Sequence, residues 1–308
     1  MFATDDVQIR QVHHRASHHG SNMRRYGRLN LTGMLALVVL VTAPAALAGD
    51  HAPINVATYN LRLNTPVDGP NVWGLRREAV MALIRYHEFD LFGTQEALPE
   101  QINDLEALSE YANVGVGRDD GKNAGEHSTI FYRQARFALL SHGDFWLSET
   151  PDRPSKGWDA RCCNRLATWV RLRDKSSGKT LLVLSVHFDH EGEVARRESA
   201  KLLLRWLQQQ AAGDAVIALG DFNSTPETGQ IVAMKAALRD ARIVTQTPPY
   251  GPLGTFNDFK FGVAPEKLID YIFLGSKIRV LKYAVLTDSD GQRYPSDHFP
   301  VLARIELE

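Results

Sequence analysis

Four apolar runs in this chain end in side chains that can do chemistry. Asn60 closes Ile54-Asn55-Val56-Ala57-Thr58-Tyr59, and Glu96 follows Asp90-Leu91-Phe92-Gly93-Thr94-Gln95. His187 closes Leu181-Leu182-Val183-Leu184-Ser185-Val186, and Asp221 and Asn223 follow Val216-Ile217-Ala218-Leu219-Gly220. The tail adds Ser296-Asp297-His298. Carboxylate and amide oxygens suit a hard cation, magnesium or manganese rather than zinc. Imidazoles exchange a proton near neutral pH. An apolar strand that stops at a carboxylate exposes it at the rim of the core, where the sites of such sheets open. Taken singly, an Asp or Asn after a strand is a turn residue, and a Glu there is solvated. Turns alone do not account for all of these strand ends together with Asp297-His298.

The elements that must position these side chains read as strands interleaved with a few helices. Short runs rich in β-branched and aromatic residues predict strands over 54–60, 90–94, 128–133, 168–173, 181–187, 215–220, 268–274, 278–285 and 301–307. A helix is predicted over 75–86, with Val80, Leu83 and Ile84 on one face. Another is predicted over 193–210, with Ala195, Ser199, Leu202, Leu203 and Trp206 on one stripe. Many strands with few helices suit two packed sheets with helices outside, and argue against a barrel of eight strand–helix units. Nothing after Gly49 reads as a domain boundary.

Composition narrows the partners. The chain has 308 residues, 44% hydrophobic and 23% charged, which excludes a disordered tail protein, a collagen-like fibre and a disulfide-stapled miniprotein. The overall charge of −1 is unevenly spread: residues 1–48 hold five Arg and two Asp, leaving −4 on residues 49–308. A strongly basic nucleic-acid binder is therefore not expected, whereas an enzyme that handles phosphate through a bound cation is allowed.

Residues 35–47, Leu-Ala-Leu-Val-Val-Leu-Val-Thr-Ala-Pro-Ala-Ala-Leu, follow Arg24, Arg25 and Arg28 and precede Ala48-Gly49. A basic start, a short apolar run and a small-residue cleavage site describe a secretory signal peptide over residues 1–48. The run is too short for the roughly 20 residues of a membrane span. Residues 1–22 lie upstream of a second methionine, Met23, and read as an over-called start. The mature chain is expected to begin near Gly49, to be exported to the periplasm or medium, and to have no stable membrane insertion. The two cysteines, Cys162 and Cys163, are neighbours and are expected to be unpaired thiols.

Several short motifs, in order, resemble the endonuclease/exonuclease/phosphatase superfamily, which includes deoxyribonuclease I. They are Thr58-Tyr59-Asn60, Gln95-Glu96, Ser185-Val186-His187-Phe188-Asp189-His190, Gly220-Asp221-Phe222-Asn223, Ile269-Asp270-Tyr271-Ile272 and Ser296-Asp297-His298. The resemblance runs from about residue 54 to 305, and residues 49–308 are accordingly read as one domain of this type. It implies an α+β fold, a four-layer α/β/β/α sandwich of two mixed, mainly antiparallel sheets flanked by helices. Trp73-Gly74-Leu75-Arg76-Arg77, Phe145-Trp146-Leu147-Ser148-Glu149-Thr150-Pro151 and Gly254-Thr255-Phe256-Asn257 are similar to the deadenylase-like branch and its secreted bacterial relatives. Ser185 departs from that branch, which tends to have Asn-Thr-His here.

The resemblance also implies roles. Hydrolysis of a phosphoester needs a hard cation, a positioned water and help for the leaving group. Glu96 would be the main metal carboxylate for Mg2+ or Mn2+, with Asn60 and Asp297 completing its neighbourhood as oxygen ligands or through water. Asp221 would activate water, with Asn223 orienting water or phosphate beside it. His298 would stand nearest the phosphorus, its other nitrogen held by Asp270, and His187 would contact the phosphate oxygens with support from Glu126. Arg165 either reaches phosphate or is a buried structural arginine. The expected activity is that of an exported Mg2+-dependent phosphoesterase, a nuclease or nucleotide-directed hydrolase. The alternative is a sphingomyelinase- or inositol-phosphatase-like headgroup enzyme, and a catalytically inactive binding module is disfavoured by the intact set. No obligate protein partner is implied.

Overall fold

Strands that are apolar on both faces must be covered on both faces. β7 (Thr180–His187) is buried at all but its first residue, and β8 (Ala215–Asp221) is buried throughout. The structure, a computed structural model, describes residues 52–211 and 213–308. It covers these strands with a second sheet on one side and helices on the other.

The first sheet runs, in spatial order, β11 (Ile278–Val285), β12 (Val301–Leu307), β1 (Ile54–Asn60), β2 (Leu91–Gln95), β4 (Ile130–Arg133) and β3 (Tyr111–Val114). The second runs β5 (Phe137–Trp146), β6 (Leu166–Asp174), β7, β8, β10 (Asp270–Leu274) and β9 (Arg239–Asp240). Val56, Leu91 and Ile305 of the first sheet share a core with Val183, Ile217 and Ile272 of the second. α1 (Trp73–Tyr86) and α2 (Pro99–Leu105) cover the outside of the first sheet. α3 (Glu193–Gln210) and α4 (Gly229–Ala237) cover the outside of the second, and a short α5 (Ala241–Val244) follows β9. This is the four-layer sandwich the sequence implies.

Each sheet has one parallel pair, β1–β2 around α1 and β7–β8 around α3, and the remaining pairs are antiparallel. The parallel registers set Asn60 opposite Gln95 and His187 opposite Asp221. Antiparallel β10 brings Asp270 beside Asp221 from the other direction. The ends of five strands thus open on one rim. Glycine permits the sheets to close there: a Cβ at Gly93 would lie 2.3 Å from the Leu219 side chain and 2.6 Å from Ser185 Oγ. Across that contact Gln95 Nε2 donates to Ser185 Oγ at 3.2 Å. Ser185, the departure from the deadenylase-like pattern, therefore fits the inter-sheet seam.

The strands the sequence pattern overlooks, β3, β5 and β9, are all sheet edges. β5 is exposed or half-buried through its middle and carries Ser141, Gly143 and Asp144, so no apolar alternation marks it. Adjacency holds the Cα atoms of Cys162 and Cys163 3.7 Å apart, and both line the cavity described below. The expected signal peptide, residues 1–48, lies outside the described residues. Among the described residues no helix is long and apolar enough to cross a membrane.

Candidate active site

The strand ends converge on a cavity of about 680 Å³, a size usual for a small-molecule site. Glu96, Asp297, Asp221 and Asn223 line it, as do His187, His298, Glu126 and Arg165. Asn60 and Asp270 stand directly behind them, fully buried and hydrogen-bonded to the front row. All ten residues singled out in the sequence are therefore in one place.

Asn60 stands against two of the carboxylates. Its Nδ2 donates to Glu96 Oε1 at 2.9 Å and to Asp221 Oδ2 at 3.0 Å, while its Oδ1 accepts from the backbone N–H of Arg62. It faces the carboxylates as a donor that holds them together. Glu96, in a left-handed conformation just past β2, keeps Oε2 on the Leu63 N–H at 3.2 Å. Arg62 grips Asp68 with two hydrogen bonds and stands 3.9 Å from both Glu96 and Asp297. Ser296 Oγ donates to Asn60 O at 2.7 Å, and Asn257 N to Asp297 O at 2.7 Å, which ties the last loop to the rim.

Burial, reinforced by Asp270, pushes Asp221 up to about 7 against the pull of His298. Burial likewise pushes Asp297 up to about 6, with His298 opposing and Glu96 reinforcing. The ligand atoms of Glu96, His187 and Asp221 lie within 4.8 Å of one another. A divalent cation fits this corner of the cavity: Glu96 and Asp221, with Asp297 on the same wall, offer hard oxygens, and a cation beside them offsets the burial penalty and the repulsion that raise Asp221 and Asp297.

Two imidazoles flank Asp221 Oδ2, His187 Nε2 at 3.6 Å and His298 Nε2 at 3.9 Å. His298 Nδ1 lies 2.9 Å from Asp270 Oδ2, which also accepts from Thr255 Oγ1 at 2.5 Å. Burial alone would lower His298, but Asp270, by charge and hydrogen bond, and then Asp221 and Asp297 raise it well above the usual imidazole range. The carboxylates around His298 thus favour its charged form, and Asp270 holds its other nitrogen, the contact the resemblance implies.

His187 is supported differently from expectation. Its Nδ1 lies 3.0 Å from an N–H of Arg165 and 3.7 Å from Glu126 Oε2. Glu126 instead accepts from Arg118 at 2.5 Å. Burial, then Arg165 and Arg118, holds His187 well below the usual range. Arg165 is therefore a buried arginine inside the site, not a choice between site and core. Asn223 N donates to Asp221 Oδ1 at 2.9 Å and its Nδ2 to Phe188 O at 3.0 Å, which pins the Asp221 turn.

Sequence reasoning missed Arg62, Asp68, Arg118 and Thr255. Arg62 and Arg118 are ordinary loop charges and Asp68 lies in a short 3-10 helix, Pro66–Asn71, none with a local pattern. Thr255 sits in the quoted Gly254-Thr255-Phe256-Asn257 run, but its bond to Asp270 crosses 15 residues and has no signature in spacing. Trp146 is structural: buried, its indole N–H donates to Arg118 O at 2.7 Å and so braces the Arg118 loop.

Residues 57–298 match the model of the Endonuclease/Exonuclease/phosphatase family. The chain belongs to this family. Its members are phosphoric ester hydrolases. Among solved structures of the family, the chain is similar to a mannosyl-6-phosphatase from Bacteroides thetaiotaomicron, at 40% identity and a TM-score of 0.78, covering 82% of this chain and 100% of that one. It is similar to a family member from Bacteroides vulgatus at 37% identity and 0.79, covering 83% and 99%. The human Nocturnin catalytic domain, with bound sulfate, shares the fold at 20% identity and 0.66, covering 83% and 94%. The chain spans 59% and 27% of the length of two curated relatives, both uncharacterised proteins of Acanthamoeba polyphaga mimivirus.

Proposed function

We propose that this protein is an exported, Mg2+- or Mn2+-dependent phosphoesterase that removes phosphate from a small phosphomonoester of the sugar-phosphate type. The observation that carries the reading is that the cations are gathered in one compact cavity, among its carboxylates. Arg62, Arg118, Arg196 and Lys267 line the one cavity that also holds Asp221 and both imidazoles. That arrangement suits one phosphate and a compact leaving group, whereas a nucleic-acid strand is held by cations tracking its backbone. The extensive likeness to a mannosyl-6-phosphatase supports the same class.

Glu96, Asp297 and Asp221 would hold the cation, which when bound neutralises charge growing on the phosphate oxygens. Asp221 Oδ2 accepts the proton of an attacking water as the water oxygen bonds to phosphorus, and that proton passes to the sugar oxygen as the P–O bond to the sugar breaks. The proximity of Asp221 to two imidazoles and an Asn60 N–H fixes its position for that transfer. His298, kept protonated by Asp270, donates Nε2–H to a phosphate oxygen. Arg62 adds a second cation at the rim.

The test is a panel of purified residues 49–308 with magnesium: hexose 6-phosphates, p-nitrophenyl phosphate, bis-p-nitrophenyl phosphate, polyadenylate, single-stranded DNA and sphingomyelin. Phosphate release from the monoesters is expected. Cleavage confined to polyadenylate or DNA would replace this reading with the nuclease one, and cleavage confined to sphingomyelin with the headgroup one. Export is checked by N-terminal sequencing of protein recovered outside the cytoplasm, which should start near Gly49.

A further inference from the structure

We propose that Arg165 sets two imidazoles at once, His187 and His190, as paired Nε2–H donors, and that His190 is a further phosphate-binding residue of the cavity. The proposal rests on the reading that the cavity takes a phosphoester. Arg165 immediately precedes β6 and is only 4% exposed. One terminal nitrogen of its guanidinium lies 3.0 Å from His187 Nδ1 and the other lies 2.7 Å from His190 Nδ1. A guanidinium has only donors, so both Nδ1 atoms must offer lone pairs. Each neutral ring then carries its proton on Nε2. A planar fork can do this for two rings together, which a lysine ammonium, a point charge, does not reproduce.

The surroundings are built to hold that fork. Asp189 Oδ2 faces Arg165 Nε at 3.5 Å and balances its charge. Asp189 Oδ1 accepts from the backbone N–H groups of Glu191 at 2.9 Å and Gly192 at 2.5 Å, which shapes the turn bearing His190. His190 lines the same cavity as His187, His298 and Asp221, and its side chain is 47% exposed. Among the described residues its Nε2 has no hydrogen-bond partner; the nearest carboxylate, Glu191, is 3.8 Å away. A buried arginine is thus committed to orienting a solvent-facing imidazole whose proton points to no protein acceptor. A ring fixed only for packing would not need its Nδ1 satisfied by a charged donor inside a polar cavity.

Ring-nitrogen NMR of the metal-free protein and titration with orthophosphate test this separately from turnover. Both His187 and His190 should show an unprotonated Nδ1 and a protonated Nε2. His190→Ala should weaken orthophosphate binding about tenfold, as expected for one hydrogen bond to an anion. It should raise KM for the active monoester by a similar factor, with a smaller change in kcat. His190→Gln, which keeps an N–H donor, should recover part of the loss. Arg165→Lys should shift at least one ring away from the Nε2–H form while the fold persists by circular dichroism. A protonated Nδ1 on either ring in the wild type, or orthophosphate binding unchanged in His190→Ala, overturns the proposal. If no substrate on the panel is turned over yet orthophosphate binding still depends on His190, the functional reading fails and this one stands.

Discussion

His298 and His187 both turn Nε2 toward Oδ2 of Asp221, at 3.9 and 3.6 Å, yet they differ in what stands behind them. Behind His298 is a carboxylate, Asp270, itself braced by Thr255. Behind His187 is a guanidinium, Arg165. Both rings are buried, and burial by itself disfavours charge on either. The backing group therefore decides the direction: charge is favoured on His298 and disfavoured on His187. One side of the cavity offers a charged donor where negative charge grows, and the other a neutral donor that leaves Asp221 free to act as a base. Two like side chains at one carboxylate are given different work by the groups behind them.

The comparison is broken most sharply at His298. His298→Ala should lower kcat/KM by about three orders of magnitude, within the usual range for a group of this kind. Asp270→Asn should lower it strongly as well. The double variant should be scarcely worse than His298→Ala, since the two act as one unit. Steady-state kinetics of the three variants checks this, and additive losses would separate the pair.

His187→Ala should cost less, about two orders of magnitude, the scale of one lost hydrogen-bond donor to a developing oxyanion. Because its ring works as a neutral donor, His187→Gln should retain more activity than His187→Ala. At His298 the corresponding His298→Gln should rescue little, since an amide supplies no charge. Equal rescue at both sites in the same kinetic assay would erase the distinction.

Asp221 sharpens the comparison through stability. Its value in the folded protein, about 7, lies above the ordinary 3.8, so the folded state retains a proton that the unfolded chain releases. In metal-free protein that stabilisation is complete below about pH 4, declines as pH rises, and is gone above about 7. Asp221→Asn cannot take the charge. At pH 8 without metal it should melt a few degrees above wild type, with no such gain at pH 4, while its turnover is lost. Melting curves at the two pH values check this, and added magnesium should raise the melting point of wild type at pH 8.

The smallest effect is expected at Glu126. Its carboxylate is bonded to Arg118 and not to His187, so Glu126→Gln should change kcat less than about tenfold and leave the His187 tautomer as it is. A loss matching that of His187→Ala would restore Glu126 as the supporting partner.

Much of this site was legible in the chain because strand ends are local features. Asn60, Glu96, His187 and Asp221 each terminate an apolar run, and burial of the run leaves the terminal polar group nowhere to go but the rim. Interior strands were legible for the same reason, and the edges β3, β5 and β9 were not, since half-exposed strands lose the apolar signature. Arg62 and Arg118 escaped because a charged residue in a loop reads as solvated until the partners that bury it are known.

The sequence by itself determined which side chains gather at the rim, through the order of strands and the residue at the end of each. Only the tertiary structure decided what backs each of them. Asn60 became a donor between two carboxylates because the Arg62 N–H, two residues on, claims its oxygen. Arg165, 22 residues from His187 in the chain, reached its ring ahead of Glu126. Such choices depend on side-chain directions from several strands meeting within a few ångströms. No periodicity along one strand carries that information.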